Sequence, residues 1–419
     1  MKDISNKPNA YLQGRLRIKD KQGDVGRRET KNQNIKKNKP TKPFNTWLMS
    51  KVKTEAKKKL FSVVSCFAGA GGSSTGYKMS GGDVRLFTDF QDVCIQNYLY
   101  NYPNTPYICE DIRDLTGKQI LKDAGLKKKE LDILDGSPPC PPFSVNGKKE
   151  EGWNKTKVVY GKKQTNIEDL SFDFINLAET ILPKVIICEN VKGLAMKPME
   201  KHFNKMIKSI QKLGYQTTYK VLNAVDYGVA QKRERVFLVG IRNDVLKKLG
   251  HRIENMVFPD FTSRVWPEPI RGAYSQRDAI FSLIKDKKNV AEGLELEEKM
   301  KTLSKYEFLK DMIKSPTAYQ SLGDNHIKGS FYQTRRVPWN EPSNCLAEKG
   351  LDTFFVHIHP DRDRGFTTHE AIKLMSLPDG YKLKGTLTER LGLIGLMVAP
   401  LQMHHLSKHI YENVLKPLR

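Results

Sequence analysis

Cysteine is scarce in this sequence, and its cysteines are not closely paired. The six cysteines in 419 residues stand singly, with no C-x-x-C pair among them. This spacing argues against a disulfide framework and a structural zinc site. The chain also lacks an apolar run long enough to span a membrane, and its first residues lack the apolar segment of a signal peptide. We therefore expect a cytoplasmic protein that binds neither a metal nor a membrane.

Acidic residues are also under-represented. There are 47 Asp and Glu against 71 Lys and Arg, which gives a formal net charge of +24. Residues 1–60 hold 18 basic and 5 acidic residues, so they contribute +13 and the other 359 residues contribute +11. A basic chain favours a polyanionic partner, of which nucleic acid is the commonest. Charge alone leaves a solvated basic surface as an equal alternative.

The chain divides by pattern into an arm, an alternating region and an irregular insertion. Residues 1–50 are polar and lack a period, which predicts a disordered basic arm. Short apolar runs then alternate with stretches of helical spacing, and this alternation predicts an α/β fold with a doubly wound, mostly parallel sheet. The alternation fails between residues 257 and 350, which predicts a smaller domain inserted between 60–256 and 351–419. The predicted strands are 62–67, 84–88, 131–134, 185–188 and 236–241, and the predicted helices include 51–60, 172–181, 203–213, 368–375 and 404–414.

A glycine-rich segment, FAGAGGSSTG, follows the first predicted strand at residues 67–76. Its small residues let the backbone approach a ligand closely where a strand ends and a helix begins. The next predicted strand leads to Asp89, whose carboxylate is placed to accept hydrogen bonds from ribose hydroxyls. The segment favours a nucleoside cofactor, with a purely structural turn as the alternative, because Ser74 stands where the dinucleotide fingerprint has its third glycine.

The segment DILDGSPPCPPFS, at residues 132–144, points to a nucleophile. A predicted strand runs into two prolines, which force extended backbone, and Cys140 follows at the carboxyl edge of the sheet. A thiol is intrinsically very nucleophilic even though only a small fraction is ionised at neutral pH. The rigid proline frame favours a positioned nucleophile over a buried structural cysteine.

Charged residues stand at two further strand ends. Glu189 closes the predicted strand 185–188 at the same edge of the sheet, where a carboxylate can exchange a proton with a substrate ring. Arg233 and Arg235 are two residues apart just before a predicted strand, so their side chains point the same way. The structural alternatives are a salt-bridged glutamate and solvated arginines. The sharper interpretation is two guanidinium groups converging on an anionic or carbonyl-rich substrate.

Taken together, these segments resemble the DNA (cytosine-5)-methyltransferase family, in the family's order, from about Phe61 to the C-terminus. FAGAGGSSTG is similar to the family's cofactor motif and GSPPCPPFS to its nucleophile motif, while ENV and QKRER are similar to its substrate motifs. The segment RGFTTHEAIKLMSLP, at 364–378, is similar to the motif after the target-recognition region. The resemblance implies a Rossmann-like, class I methyltransferase of bacterial or phage type that uses S-adenosyl-L-methionine and acts on double-stranded DNA as a monomer.

The resemblance also implies roles for residues of the catalytic site. Cys140 would attack C6 of a cytosine flipped out of the duplex, and C5 would then take the methyl group. Glu189 would hold N3 of the ring, and Arg235 would contact its carbonyl. Arg233 would orient Glu189 or a phosphate.

Further residues are implied for the cofactor and for DNA. Phe67 would pack on the adenine, Asp89 would bind the ribose, and Asp111 would bind the adenine amine. The full expected cofactor set is Phe67, Ala68, Gly69, Gly71, Gly72, Asp89, Phe90, Asp111, Ile112, Pro139, Leu170 and Val398. The expected DNA contacts are Ser144, Lys148, Trp153, Arg335 and Arg336, with Trp339 as a further candidate.

The chain departs from the family pattern at three places. Pro141 follows the nucleophile where glutamine is most common. The stretch 147–169 is longer than in compact members and holds six lysines, so we expect a mobile loop that closes over DNA, with a surface insertion as the alternative. Leu396 stands where the family has an asparagine that helps to fix the cofactor site.

Two other functions stay open. One is an RNA (tRNA) cytosine-5 methyltransferase of the same fold, although the PPFS run after the nucleophile differs from the CFT run of those relatives. The other is a catalytically impaired DNA-binding module, which Leu396 suggests and which the intact Cys140, Glu189 and arginine pair oppose.

Overall fold

A central seven-stranded sheet has the strand order β3-β2-β1-β4-β7-β9-β8. Strands β3, β2, β1, β4 and β7 are parallel, whereas β9 is antiparallel to both of its neighbours. The prediction of an α/β fold with a mostly parallel sheet is confirmed. In chain order the strands are β1 (Phe61–Cys66), β2 (Gly82–Thr88), β3 (Tyr107–Ile108), β4 (Ile133–Gly136), β5 (Lys157–Val159), β6 (Lys162–Gln164), β7 (Val185–Val191), β8 (Tyr215–Asn223), β9 (Glu234–Arg242), β10 (Gln320–Ser321), β11 (Arg335–Arg336) and β12 (His357–Ile358).

The structure is a computed structural model. It describes residues 44, 47–139, 157–159, 162–164, 169–253, 261–270, 272–303, 306–321, 334–348 and 356–419.

Helices cover both faces of the sheet. In chain order they are α1 (Met49–Ala56), α2 (Gly72–Met79), α3 (Asp92–Asn101), α4 (Gly117–Asp123), α5 (Leu170–Ile181), α6 (Glu200–Lys212), α7 (Asn243–Lys248), α8 (Thr262–Val265), α9 (Gln276–Ile280), α10 (Lys287–Lys301), α11 (Thr368–Leu374), α12 (Leu387–Leu396) and α13 (Pro400–Ile410). Successive strand residues point to opposite faces, so Val63 packs with α13 while Val64 packs with α4, α5 and α6. The sheet is therefore doubly wound, as its buried apolar strands predict.

The sheet has its topological switch point between β1 and β4. The chain moves outward from β1 to β2 and β3, and then returns to β4 on the other side of β1. The paired residues Cys66 and Gly136 are the last of their strands. The glycine-rich segment and the segment that leads to Cys140 therefore leave the sheet side by side, at the place where open α/β sheets bind ligands.

The sequence pattern does not predict β8. This edge strand carries the partly exposed Thr217 and Thr218 and the exposed Lys220. It lacks the apolar run of the central strands because only part of its surface is covered. Strand β9, which lies between β8 and β7, is predicted, but its antiparallel direction is not.

The described part of 257–350 contains three helices, α8 to α10, and little sheet. Strand β10 is antiparallel to β11, and β11 is parallel to β12. Asn289 on α10 donates to Glu370 on α11 through a buried hydrogen bond of 3.2 Å. The region is therefore tied to the segment that follows it.

The chain ends pack on the same core. Helix α13 lies against α2 so closely that a Cβ atom on Gly76 would be 2.6 Å from Cβ of Met403. At the other end, Met49 donates its backbone N–H to the carbonyl of Asp379 and is buried. The predicted arm of 1–50 is thus too long, because the packed structure already includes Trp47, whose carbonyl accepts from Asp379.

Candidate active site

The glycine-rich segment turns sharply as it leaves β1. Phe67 has a φ of 53°, a left-handed conformation that is strained for a residue with a side chain and that is found preferentially at functional sites. Gly69 follows with a φ of 55°, and a Cβ atom there would meet nothing within 4 Å. Open space beside a glycine backbone is what close approach of a ligand requires.

Asp89 braces this turn from the end of β2. Its Oδ2 accepts the backbone N–H of Gly69 at 2.9 Å, and its Oδ1 accepts that of Gln91 at 3.0 Å. The carboxylate is partly exposed, so it has further acceptor capacity for a ligand.

Gly71 and Gly72, unlike Gly69, lie against other protein atoms. A Cβ on Gly71 would come within 3.0 Å of the ring of Tyr98, and one on Gly72 would come within 2.5 Å of the carbonyl of Val398. These two glycines let protein pack against the start of α2. The space for a ligand lies at Gly69.

The other residues of the expected cofactor set fall into two groups. Phe90, Asp111 and Pro139 are partly exposed at the ends of β2, β3 and β4, while the buried ones are Ala68, Ile112, Leu170 and Val398. Arg113 engages both oxygens of Asp111, at 2.9 Å and 2.7 Å, and its hydrogen bonds lower the pKa of that carboxyl. An adenine amine would have to share these oxygens with Arg113.

Cys140 lies outside the described residues, but the segment that leads to it is described. Strand β4 ends at Gly136, where a Cβ atom would be 2.5 Å from the ring of Phe174. The carbonyl of Pro138 accepts from Nδ2 of Asn190 at 2.9 Å. Asn190 therefore fixes the start of the nucleophile segment. It was not among the predicted site residues, although it stands in the ENV segment.

Glu189 and Arg235 form a largely buried ion pair. Oε1 of Glu189 is 3.2 Å from Nε of Arg235, and their side chains are 8% and 13% exposed. The pair is built by β7 and β9, in whose antiparallel register Val191 lies opposite Arg235. The arginine that pairs with Glu189 is therefore Arg235, whereas the resemblance implied that Arg233 would orient this carboxylate.

Arg233 points the same way as Arg235 but is used differently. Both guanidinium groups approach Sγ of Cys345, from Nη1 of Arg233 at 3.7 Å and from both Nη atoms of Arg235 at 3.9 Å. Arg233 is only 2% exposed, and its donors go to three backbone carbonyls. It does not bond to Glu189, and its burial leaves no room for a phosphate, which corrects the predicted role. Burial lowers the pKa of Arg233 to about 10, so it stays charged at neutral pH.

Asp135 is a buried carboxylate beneath the site that the sequence reasoning missed. It accepts hydrogen bonds from Ser65 at 2.9 Å, Ser73 at 2.7 Å and Tyr77 at 3.0 Å, so it ties β4 to β1 and α2. Burial raises its pKa to about 6. The serine and tyrosine spacing in GSSTGY, which places both side chains on one face of α2, was the available signal.

Only some of the predicted DNA contacts lie among the described residues. Ser144, Lys148 and Trp153 lie outside the described residues. Arg335 is partly exposed, with its guanidinium 5.7 Å from the ring centre of Tyr319.

Two of the candidates for DNA contact are corrected. Arg336 is fully buried and donates to the carbonyls of His359 and Arg362 and to the carboxylate of Asp363. Trp339 is also buried, edge-on to the ring of His359. Both residues hold this region together instead of facing solvent, because Arg336 bonds to the segment 359–363 and Trp339 packs on His359 and Phe281.

With this geometry in place, residues 61–412 match the family described as C-5 cytosine-specific DNA methylase. The chain belongs to that family.

Curated relatives of this methyltransferase have similar length. It is 26% identical over 379 residues to the Type II methyltransferase M.XorII of Xanthomonas oryzae, an alignment that covers 85% of each chain. It is 27% identical over 393 residues to the Type II methyltransferase M.DdeI of Desulfomicrobium norvegicum, covering 84% of this chain and 90% of that one.

Solved structures agree on the fold. A prophage-encoded DNA modification methyltransferase of E. coli superposes with a TM-score of 0.61 at 22% identity, covering 85% of this chain and 99% of that one. A DNMT2 of Spodoptera frugiperda gives 0.56 at 18% identity, covering 84% and 99%.

Family membership determines the reaction. The methyltransferase transfers a methyl group from S-adenosyl-L-methionine to C5 of cytosine in DNA. In the described part of the chain, no cluster of His, Cys, Asp and Glu could hold a metal ion. Nor is any helix among those residues long and apolar enough to cross a membrane.

Proposed function

We propose that this methyltransferase flips a cytosine out of duplex DNA and activates it through a covalent bond from Cys140 to C6. The ring is inaccessible inside a duplex, so the base has to leave the stack at a cost of about a few kcal/mol. C5 is a poor nucleophile until a thiolate adds at C6 and makes the ring enamine-like. S-adenosyl-L-methionine supplies the methyl group that C5 receives. Loss of the C5 proton and of Cys140 then restores aromaticity.

The Glu189–Arg235 pair is the observation that supports this mechanism. Glu189 gives a proton to N3 as electron density moves there, and Arg235 donates to the carbonyl at C2. The pair is held by two antiparallel strands, so its geometry exists before substrate binds. Asn190, the next residue after Glu189, holds Pro138, which is two residues before Cys140. One short strand segment therefore positions both sides of the cytosine.

The cofactor fits the residues around Gly69. The left-handed turn at Phe67 and Gly69 leaves open space at the carboxyl end of β1, as a nucleoside requires. In our proposal Phe67 packs on the adenine, Asp89 accepts from the ribose hydroxyls, and Asp111 accepts from the adenine amine. Ala68, Phe90, Ile112 and Pro139 would surround it, with Leu170 and Val398 behind them.

The remaining assignments are also proposals. Residues 257–350 recognise the target sequence, and Arg335 is the partly exposed candidate for DNA contact in this region. Residues 60–256 and 351–419 form the catalytic part. We expect the lysine-rich stretch 147–169, with Lys148 and Trp153, and Ser144 before it, to close on DNA. The substrate is double-stranded DNA, and the enzyme is a cytoplasmic monomer. As in its Type II relatives, its methylation would belong to a restriction-modification system of a bacterium or phage.

Trapping the covalent intermediate tests the mechanism. When fluorine replaces the hydrogen on C5, the final elimination cannot proceed, because fluorine does not leave as a cation. The enzyme should remain bonded through Cys140 to methylated 5-fluorocytosine. On a denaturing gel this appears as a heat-stable protein–DNA adduct that requires S-adenosyl-L-methionine.

Two variants and two controls make this test specific. Cys140→Ser should abolish the adduct, because a serine hydroxyl is scarcely ionised near pH 7. Glu189→Gln should slow it by about 10²-fold or more, because an amide cannot give a proton to N3. The matched controls Cys109→Ser and Glu234→Gln should form it at the wild-type rate.

The same experiment also decides between the alternatives. Adduct formation with fluorinated RNA and not DNA would establish the RNA alternative. Retardation of DNA without any adduct, on a duplex containing the mapped binding site, would contradict the mechanism.

A further inference from the structure

Arg233 is a buried cation that donates to three backbone carbonyls and to Sγ of Cys345. Among the described residues no carboxylate lies within ion-pair distance of its guanidinium, and its Nε has no hydrogen-bond partner. An isolated buried charge is expensive unless its hydrogen bonds replace those of water. The hydrogen bonds of its other two donors, Nη1 and Nη2, must therefore stabilise the buried charge of Arg233.

Those donors connect two distant segments to the start of β9. Nη1 donates to the carbonyl of Leu346 at 3.0 Å. Nη2 donates to the carbonyls of Gly395 and Met397 at 3.1 Å and 2.7 Å. These two carbonyls flank Leu396, which is 47% exposed. The turn after α12 is thus fixed from outside by Arg233.

The two segments that accept hydrogen bonds from Arg233 contact different parts of the site, namely the glycine-rich segment and Arg235. The turn at Met397 and Val398 packs on Gly72, the first residue of α2, so closely that a Cβ on Gly72 would be 2.5 Å from the carbonyl of Val398. The other segment contains Leu346 and its neighbour Cys345. Sγ of Cys345 lies 3.9 Å from both Nη atoms of Arg235. Arg233 thus supports the glycine-rich loop on one side and Arg235 on the other.

We propose that Arg233 is a positioning residue that couples the cofactor loop to the substrate arginine. It holds the turn 395–398 against α2 and the segment 345–346 against Arg235, and it contacts neither cofactor nor DNA. The proposal depends on the cofactor and substrate sites proposed above. It predicts that cofactor affinity depends on a residue in a segment otherwise assigned to the substrate.

Arg233→Lys is the decisive variant. Lysine keeps the charge, but a single ammonium lacks the planar fork that reaches carbonyls on two segments at once. We expect S-adenosyl-L-methionine to bind roughly tenfold or more weakly, since at least one charge-assisted hydrogen bond is lost. With saturating cofactor, adduct formation on fluorinated DNA should also slow, because Arg235 loses its support. DNA affinity should stay within about twofold.

Cofactor affinity is measured by calorimetric titration with S-adenosyl-L-methionine, and DNA affinity by fluorescence anisotropy with duplex DNA. The rate of adduct formation is measured by the single-turnover adduct assay. Lys232→Met is the matched control, since Lys232 is exposed and pairs with Glu341; it should leave cofactor affinity unchanged. Arg233→Met should have a larger effect than Arg233→Lys, and if it fails to fold, the lysine variant alone decides.

Two outcomes would overturn the proposal. Weaker DNA binding at unchanged cofactor affinity would make Arg233 a direct DNA contact. A lower melting temperature with all three quantities unchanged in the folded protein would make its role merely structural. Failure of the proposed catalytic mechanism is distinguishable, because the wild type itself would then form no adduct, whereas cofactor titration would still report on Arg233.

Discussion

The side-chain amide of Asn190 donates a 2.9 Å hydrogen bond to the carbonyl of Pro138. This bond joins the strand that carries Glu189 to the segment that leads to Cys140. It fixes Pro138, two residues before Cys140, relative to the strand that carries Glu189.

Replacing Asn190 tests this relationship. In Asn190→Ala, Pro138 loses its donor, and a displacement of about 1 Å in a reacting group can reduce a rate by about 10²-fold. We expect adduct formation to slow by about 10- to 100-fold, with cofactor affinity unchanged. Asn413→Ala removes a similar amide-to-carbonyl bond, to His409, far from the site and should not slow it. Equal rates for both variants would contradict a positioning role for Asn190.

Asp135 predicts a pH dependence of stability. Its pKa rises from 3.8 to about 6 on folding because it is buried, so the native state holds the proton more tightly than the unfolded state. Stability is therefore lost as pH rises from about 4 to about 6, by about 3 kcal/mol in total at about 1.4 kcal/mol per pKa unit.

The variant Asp135→Asn isolates this effect. It lacks the titration but can keep hydrogen bonds to Ser65 and Ser73. Between pH 5 and 7 the wild type should lose about 1 kcal/mol of unfolding free energy relative to the variant, as urea denaturation would measure. A difference that stays constant over this range would show that Asp135 does not titrate there.

Arg335 and Arg336 are adjacent and should behave oppositely. Arg336→Met leaves Asp363 and several carbonyls without their buried donor, so it should destabilise the protein by about 3–5 kcal/mol. Arg335→Ala should barely affect stability but should reduce the salt slope of DNA binding by about 1 if it contacts a phosphate. Thermal unfolding and anisotropy over a salt series measure both. Unchanged DNA binding in Arg335→Ala would remove it from the interface.

The basic arm should contribute to DNA affinity but not to chemistry. Truncation is best made after residue 43, because Trp47 and Met49 are part of the packed structure. Residues 1–43 hold 13 Lys and Arg against 4 Asp and Glu. Their loss should weaken DNA binding and flatten its salt dependence, at about −0.9 per phosphate contact, while adduct formation at saturating DNA is unchanged. Identical slopes for both proteins would show that the arm does not touch DNA.

The sequence by itself determined the elements that depend on local pattern. Apolar runs predicted β1, β2, β4 and β7. They placed Asp89 directly after β2 and Glu189 in the last part of β7, because side-chain direction and apolar runs are local properties. The family motifs added the reaction and the cofactor.

Only the tertiary structure decided what each arginine does. Arg233 and Arg235 stand in the same five-residue segment and point the same way, yet one is enclosed by carbonyls 113 to 164 positions away while the other pairs with Glu189. The same holds for Arg335 and Arg336. The burial of each arginine and its choice of partner depend on contacts between segments far apart in the chain. The local spacing of residues does not predict these contacts.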